Sequence, residues 1–353
     1  MSGAPTMRAV VYDEIRGTPY VDEVPVPQPP PGGVVVAVEA TGLCHSDWHA
    51  WAGHDDVTLP HVPGHELAGT VHVVGEGVRG WRVGDRVTSP FVEGCGACSW
   101  CAAGQAQVCP DQQQPGFSHW GSFAEQVVIH AADTNLVALP DAVGMHAAAA
   151  LGCRYATAYR GVVDRARLQR GERVVVVGVG GVGLSVVQIA TARGATVVAV
   201  DRDEAALELA RHHGAAHAIP ADPGVDVAAA VHEVTDGGAH VSVDAVGSEQ
   251  TATAAITSLR RLGRHVQIGL LPAATGRPRL PMDRVIGWEL SLLGSHGMAA
   301  VDYPAMMALV ERGVLRPQDL VRRVVGLQEA AAALPRPDRS TAAGITLIDP
   351  RDP

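Results

Sequence analysis

Two residues able to share a soft metal ion, with a carboxylate beside them, stand close together in the chain. Cys44 opens C-H-S-D-W-H over residues 44 to 49, and His65 and Glu66 close G-H-E. A thiolate, an imidazole and a carboxylate placed this way suit half of a catalytic zinc site, which uses three protein donors and leaves a fourth position for water or substrate. The third donor must come from elsewhere, and the lone Cys153 in L-G-C-R-Y is the natural one. Taken singly, each has a plainer use: a free cysteine is a small buried hydrophobe, and a histidine beside Pro and Gly is a loop residue. The remaining cysteines change the balance. Cys95, Cys98, Cys101 and Cys109 lie in C-G-A-C-S-W-C-A-A-G-Q-A-Q-V-C. Two-residue gaps let thiolates converge on one ion, and a glycine-containing loop returns the fourth, closing a tetrahedral sulfur site with no open position. Such a site is structural; a disulfide pair or an iron–sulfur cluster are the competing uses of the same residues.

A second constellation begins at Arg173. An apolar strand, Arg173 to Val177, runs into G-V-G-G-V-G at residues 178 to 183, then a helix ending near Gly194 and a strand, Thr196 to Val200, with Asp201 at its carboxyl end. In that order Gly178, Gly180, Gly181, Val182 and Gly183 form the dinucleotide fingerprint. Its glycines admit a pyrophosphate to the helix N-terminus, and the acid accepts the ribose hydroxyls. Asp201 would repel a 2′-phosphate, which favours NAD over NADP, while Arg202 beside it keeps NADP open.

Positioning these residues takes two kinds of domain, and 353 residues exceed the size at which one core keeps growing. Short strands fill the first part: M-R-A-V-V-Y, P-Y-V-D-E-V and, after the proline-rich joint P-V-P-Q-P-P-P-G-G, Val34 to Ala40, which delivers the chain to Cys44. Ser46 or Asp47 is placed to cap a helix carrying His49. An Ala-rich helix, Met145 to Leu151, leads to Cys153. Beyond the fingerprint, helices at 204–211 and 249–259 alternate with strands at 241–246, 265–268 and 290–293, the rhythm of a doubly wound α/β sheet. A closing segment holds a helix at 303–312, a strand with a turn at 320–327 and an Ala-rich helix near Ala333.

Composition excludes several functions. A net charge of -10 without a clustered basic face argues against nucleic acid. The chain has no lysine, so Schiff-base catalysis is excluded. The N-terminus lacks the basic stretch and apolar run of a signal peptide. The uncharged run Val174 to Ala192 is divided by glycines into strand, turn and helix, so no membrane span is expected. A cytoplasmic location is expected, where cysteine clusters hold metals rather than disulfides.

The motifs C-H-S-D-W-H, G-H-E, C-x-x-C-x-x-C-x7-C, G-C-R and G-V-G-G-V-G, in this order, resemble those of the zinc-dependent alcohol dehydrogenases of the medium-chain dehydrogenase/reductase superfamily. The resemblance implies a GroES-like, mostly-β catalytic domain from residues 1–153 and 295–353, with a Rossmann domain, 154–294, inserted and the active site in the cleft. It implies that Cys44, His65 and Cys153 bind catalytic zinc and that Cys95, Cys98, Cys101 and Cys109 bind structural zinc. Glu66 matches the family's glutamate near the metal and Asp47 the carboxylate that orients the ligand histidine. Ser46 matches the hydroxyl that meets the substrate alcohol, His49 the outer base of a proton relay, and His45 a basic contact to the pyrophosphate. Trp51 and Phe91 resemble walls of the substrate pocket, and plain packing is the competing use of both. Gly344 departs from the pattern, since many members have an Arg near that place.

The implied reaction is reversible hydride transfer between a primary or secondary alcohol and its aldehyde or ketone, with NAD and two zinc ions per chain: an alcohol dehydrogenase, EC 1.1.1.1. A small-molecule substrate and a homo-oligomer, a tetramer by analogy with bacterial members or else a dimer, go with it. C-H-S-D favours this reading over the polyol and threonine dehydrogenases, whose segment usually reads C-G-S-D. A zinc-free quinone reductase would lack the ligands, and a non-catalytic zinc- and nucleotide-binding module would not need Ser46 and His49.

Overall fold

The computed structural model describes residues 5–271, 277–336 and 343–352. Its chain divides into two compact units, Met1–Ala156 with Gly297–Pro353, and Thr157–His296. The first division lies within successive helical segments from Met145 to Arg165, so no loop or change of composition marks it.

The first unit opens with an antiparallel pair, β1 (Thr6–Val11) and β2 (Tyr20–Pro25). Its main sheet is built around β3 (Val34–Leu43), ten residues long and longer than the sequence pattern suggests. β3 pairs antiparallel along its length with β4 (Leu67–Val74), and β5 (Arg86–Thr88) continues beyond β4. β6 (Gln126–Ile129) lies on the start of β3, and β7 (Val137–Ala138) extends β5. Alternation sets the core: Val34, Val36 and Val38 point to one face with Leu67, Val71, Val87 and Ile129.

Residues 173–294 form the second sheet. In chain order its strands are β8 (Arg173–Val177), β9 (Thr196–Asp201), β10 (His217–Pro220), β11 (Ala239–Asp244), β12 (Leu259–Gln267) and β13 (Ser291–Gly294). They pair in parallel in the order β10-β9-β8-β11-β12-β13, that of a Rossmann sheet. Val175, Val177, Val198 and Val200 pack with Val231 and Ala255 beneath it. The helix after the glycine turn starts at Gly181, three residues earlier than the apolar run at Leu184 suggests, because glycines form its first turn. Neither β10 nor the helix Val227–Val234 is marked in the sequence pattern. R-R-L-G-R, outside the strand expected at 265–268, belongs to β12, which carries a register shift against β11.

The last segment returns to the first unit. β14 (Val321–Val325) pairs with β15 (Ile345–Ile348), and β15 pairs with the end of β3 at Thr41–Leu43. That contact closes the sheet beside Cys44. Among the described residues, no helix is long and apolar enough to cross a membrane.

Candidate active site

β3 ends at Leu43, and Cys44 caps the short helix His45–Trp51. The cap therefore differs from the expected Ser46 or Asp47. Asp47 is the third helical residue, and its carboxylate reaches back to accept the Cys44 backbone N–H at 2.9 Å. The same buried carboxylate accepts from the Gly64 N–H at 3.2 Å and from His65 Nδ1 at 2.8 Å. One side chain thus ties two loops and takes up His65 Nδ1, leaving Nε2 as the other ring nitrogen; burial works against the charged ring, but Asp47 and then Cys44 hold it well above its ordinary range.

His65 Nε2 is buried and no other group of the described protein hydrogen-bonds it. Cys44 and Cys153 lie beside it, their ligand atoms within 4.8 Å of one another. Sharing a proton with Cys153 holds the Cys44 thiol well below its ordinary range, against burial and with help from His65. The Cys153 thiol is pushed up correspondingly. Two sulfurs and a bare imidazole nitrogen converging in a buried place are a donor set that zinc fits.

Cys153 lies on a π-helical segment, Leu151–Tyr155. The wide turn releases carbonyls that other groups take up: Tyr303 Oη donates to Leu151 at 3.2 Å, and the Phe91 N–H to Gly152 at 3.1 Å. Next to it the buried Arg154 guanidinium meets the buried Glu66 carboxylate, with Nε donating to Oε1 at 3.0 Å and Nη1 to the Leu43 carbonyl at 3.1 Å. Burial alone would depress the Arg154 guanidinium, but Glu66 and Cys44 outweigh it and raise it. Sequence reasoning misses Arg154, which lies 88 positions from its partner. It also misses Phe117, whose ring centroid is 5.3 Å from that of His65, as Phe91's is 5.9 Å away.

Ser46 Oγ is 3.8 Å from Cys44 Sγ. His49, one turn on, has Nδ1 at 2.7 Å from His54 Nδ1. Burial, then His45 and His54, lowers the His49 ring to about 4, so it is neutral at pH 7. His45 is exposed, its ring centroid 5.0 Å from that of Trp48. The Trp51 indole N–H donates to the Gly17 carbonyl at 2.7 Å.

The other four cysteines converge in their own lobe, and none is in a disulfide. Cys98 Sγ is 3.5 Å from Cys101 Sγ and 3.7 Å from Cys109 Sγ. A tetrahedral ion with sulfur at about 2.3 Å places sulfurs about 3.8 Å apart, so the lobe suits zinc. Amides of Ala97 and Cys98 bring the Cys95 thiol down to about 7. Asn135, also missed in the sequence, holds the base of the lobe: its amide exchanges hydrogen bonds with Gly94, both at 2.9 Å.

In the Rossmann unit, Gly178 has φ +84, and a Cβ on Gly183 would stand 1.9 Å from the Gly178 carbonyl oxygen. Backbone and packing demand both glycines. Gly180 is different: a Cβ there meets nothing within 4 Å, so protein packing does not account for it. Gly181 and Val182 open the helix. Asp201 Oδ2 accepts the Val179 N–H at 2.7 Å, and Oδ1 accepts those of Arg202 and Asp203 at 2.7 and 3.0 Å, which fixes the carboxylate beside the glycine turn. Arg202 is exposed. Gly344 has φ +116, and a Cβ there would meet the Leu320 carbonyl at 2.8 Å and Arg322 Cγ at 2.4 Å, so an arginine side chain has no room at that position.

Two family models match the chain, "Alcohol dehydrogenase GroES-like domain" over residues 30–141 and "Zinc-binding dehydrogenase" over 181–312. The chain is 33% identical over 332 residues to a sorbitol dehydrogenase of Halalkalibacterium halodurans, covering 92% of this chain and 94% of that protein. It is 33% identical to an NAD-dependent alcohol dehydrogenase of Sulfurisphaera tokodaii, covering 98% and 100%. The solved alcohol dehydrogenase TADH of Thermus sp. ATN1 superposes with a TM-score of 0.88 at 31% identity, covering 97% of this chain and 99% of that one. The chain belongs to the zinc-dependent alcohol dehydrogenase family of the medium-chain dehydrogenase/reductase superfamily. Its fold is the GroES-like domain with the Rossmann domain expected from its motifs.

Proposed function

We propose that the protein is an NAD(H)-dependent alcohol dehydrogenase that interconverts primary or secondary alcohols with their aldehydes or ketones. The observation that carries this is the bare, buried His65 Nε2 between Cys44 and Cys153. These three residues would hold the catalytic zinc, and Cys95, Cys98, Cys101 and Cys109 a structural one. When bound, the catalytic ion supplies Lewis acidity that makes an alcohol proton labile near neutral pH or polarises a carbonyl.

The chain's own residues do the rest. Asp47 holds His65 in its ligand tautomer. Ser46 accepts the substrate hydroxyl proton as it releases its own along the relay, and His49, neutral at pH 7, takes the relayed proton at its ring and passes it outward. Arg154 holds Glu66 in a buried ion pair. Gly178 to Gly183 receive the pyrophosphate, with His45 as a further basic contact, and Asp201 receives the ribose hydroxyls, which selects NAD over NADP. A homo-oligomer, tetramer first, is part of the reading: β13 ends its sheet, and Leu292 on it and the nearby Ile286 and Met282 are exposed apolar residues.

The test follows NADH absorbance with a panel of alcohols before chelation, after it and after zinc is restored. Activity should vanish and return; activity that survives complete zinc removal would overturn the reading, and cofactor binding without turnover would make the chain a binding module. A polyol is the second reading, favoured by the sorbitol dehydrogenase relative. It predicts a higher kcat/KM for sorbitol than for any monohydric alcohol in the same panel.

A further inference from the structure

A third group of metal-type side chains lies in the first unit, apart from both cysteine sites: Glu93, His119 and His130. They come from three stretches. Glu93 sits two residues before Cys95 and exchanges both backbone hydrogen bonds with Gln113, each at 2.8 Å. His119 belongs to the loop that follows, and His130 stands just after β6.

The polar atoms of this group are not balanced by one another. The Glu93 side chain is fully buried, at 0% exposure. Its Oε2 accepts the His130 N–H at 2.9 Å and lies 3.2 Å from His130 Nδ1, whereas its Oε1 has no partner in the described protein. Burying a carboxylate oxygen without a partner is costly unless a cation meets it. His119 Nδ1 lies 3.0 Å from the Trp120 carbonyl, so that nitrogen is the donor. His119 Nε2 is also buried and unpartnered, 3.7 Å from Glu93 Oε2. At that distance the two atoms are too far apart for a hydrogen bond, and a metal cation between them would meet both. A tetrahedral ion with oxygen and nitrogen at about 2.0–2.1 Å sets its ligands about 3.3 Å apart, the scale of the 3.2 and 3.7 Å separations.

The geometry points to a further divalent transition-metal site, of the class zinc fills, at Glu93, His119 and His130. Two imidazoles and one carboxylate are borderline donors suited to zinc rather than to calcium or magnesium. A cavity of about 240 Å³, lined by both histidines together with Met7, Trp120 and Gln126, adjoins the site and gives an entry path. Gln126 Oε1 is itself buried without a partner. The ion would join the root of the cysteine lobe to the end of β6 and to the loop bearing Phe117. None of its ligands belongs to the proposed reaction, so it is a clamp and not a catalytic centre.

The test compares metal content by atomic emission in the full chain and in a His119→Ala/His130→Ala variant, both saturated with zinc and desalted. Wild type should hold one zinc equivalent more than the variant, whatever number the sulfur sites hold, so the result stands apart from the dehydrogenase reading. Added zinc should also raise the thermal midpoint of wild type more than that of the variant. With cobalt in place of zinc, the extra ion should add visible absorption without the near-ultraviolet bands of a sulfur ligand. Equal metal content and equal thermal response would overturn the site, as would a His119 ring found protonated at neutral pH, with a proton alone meeting Glu93. If the double variant does not fold, His130→Gln serves for the same subtraction.

Discussion

The two cysteine-bearing sites are built from the same sulfur chemistry in opposite surroundings. Around Cys95, Cys98, Cys101 and Cys109 the close partners are backbone amides and other sulfurs, three of the four residues are partly exposed, and fifteen successive residues supply every donor. Around Cys44, His65 and Cys153 the partners are buried charges: Asp47, Glu66 and Arg154. A local, amide-lined cluster costs little to assemble. Three distant stretches held by buried ionic groups cost much, since an interior ion pair repays its desolvation only with good geometry. The first site is what stability alone requires. The second carries an expense that makes sense when its residues must hold a ligand position open and a proton in place.

Cysteine removal is the strongest way to break this contrast. Cys44→Ala should lower kcat by about 10³-fold or more, the several kcal/mol that a Lewis acid contributes, while NADH binding by fluorescence titration stays near wild type. Cys98→Ala should do the reverse in kind, with the lobe losing its fold and the thermal midpoint falling far more than with Cys44→Ala. If both variants unfold alike, the contrast between a structural and a working site is lost. His49→Gln should come next, with kcat about 10²-fold lower as proton transfer loses its acceptor. The same ring gives a signed pH effect. Its folded value is lowered to about 4 by burial, then by His45 and His54, from an ordinary value near 6.5. Between those pH values the unfolded chain binds more protons, so stability falls as pH drops from 6.5 to 4 and is unaffected above. Thermal midpoints of wild type and His49→Gln should converge across that window on acidification; parallel curves would remove the buried neutral ring from the account.

Asp47→Asn sharpens the contrast at smaller size. The amide still accepts from one donor but cannot meet Cys44, Gly64 and His65 with full charge, so zinc affinity at the Cys44, His65 and Cys153 site should fall roughly 10–100-fold. Affinity of the four-cysteine lobe should not change, and competition with a graded chelator separates the two.

Legibility in the sequence follows the same division. The cysteine lobe and the strand, glycine turn, helix, strand and acid of the Rossmann unit could be read because each is continuous and its side chains point where a local pattern puts them. His65 was legible as a donor from its place after Cys44, and Asp47 through motif resemblance. What stayed hidden depends on contacts made far along the chain. Arg154 is defined by Glu66, Asn135 by Gly94 and Phe117 by His65. Strand β10, H-A-I-P, is short and ends in proline, so nothing in its composition announces pairing with β9. The Cys44 cap was misassigned because Asp47 caps in reverse, from inside the helix. Gly344, a departure in the motif, is explained by its φ of +116 and by the Arg322 stem against it.

The smallest expected effect concerns two aromatics that one sequence places on equal terms. Phe91 is buried with its ring 5.9 Å from His65, on the side of the metal-type donors. Trp51 instead packs against the cluster of Tyr12, Leu43 and Phe123, and gives its indole N–H to Gly17. Trp51→Phe keeps most of the packing and loses that hydrogen bond, so stability should fall by about 1 kcal/mol in a denaturant titration. KM should then stay constant from small to bulky alcohols. A KM that changes with substrate size would place Trp51 at the substrate after all, and would leave the helix from His45 to Trp51 serving the reaction along its whole length rather than only at its first turn.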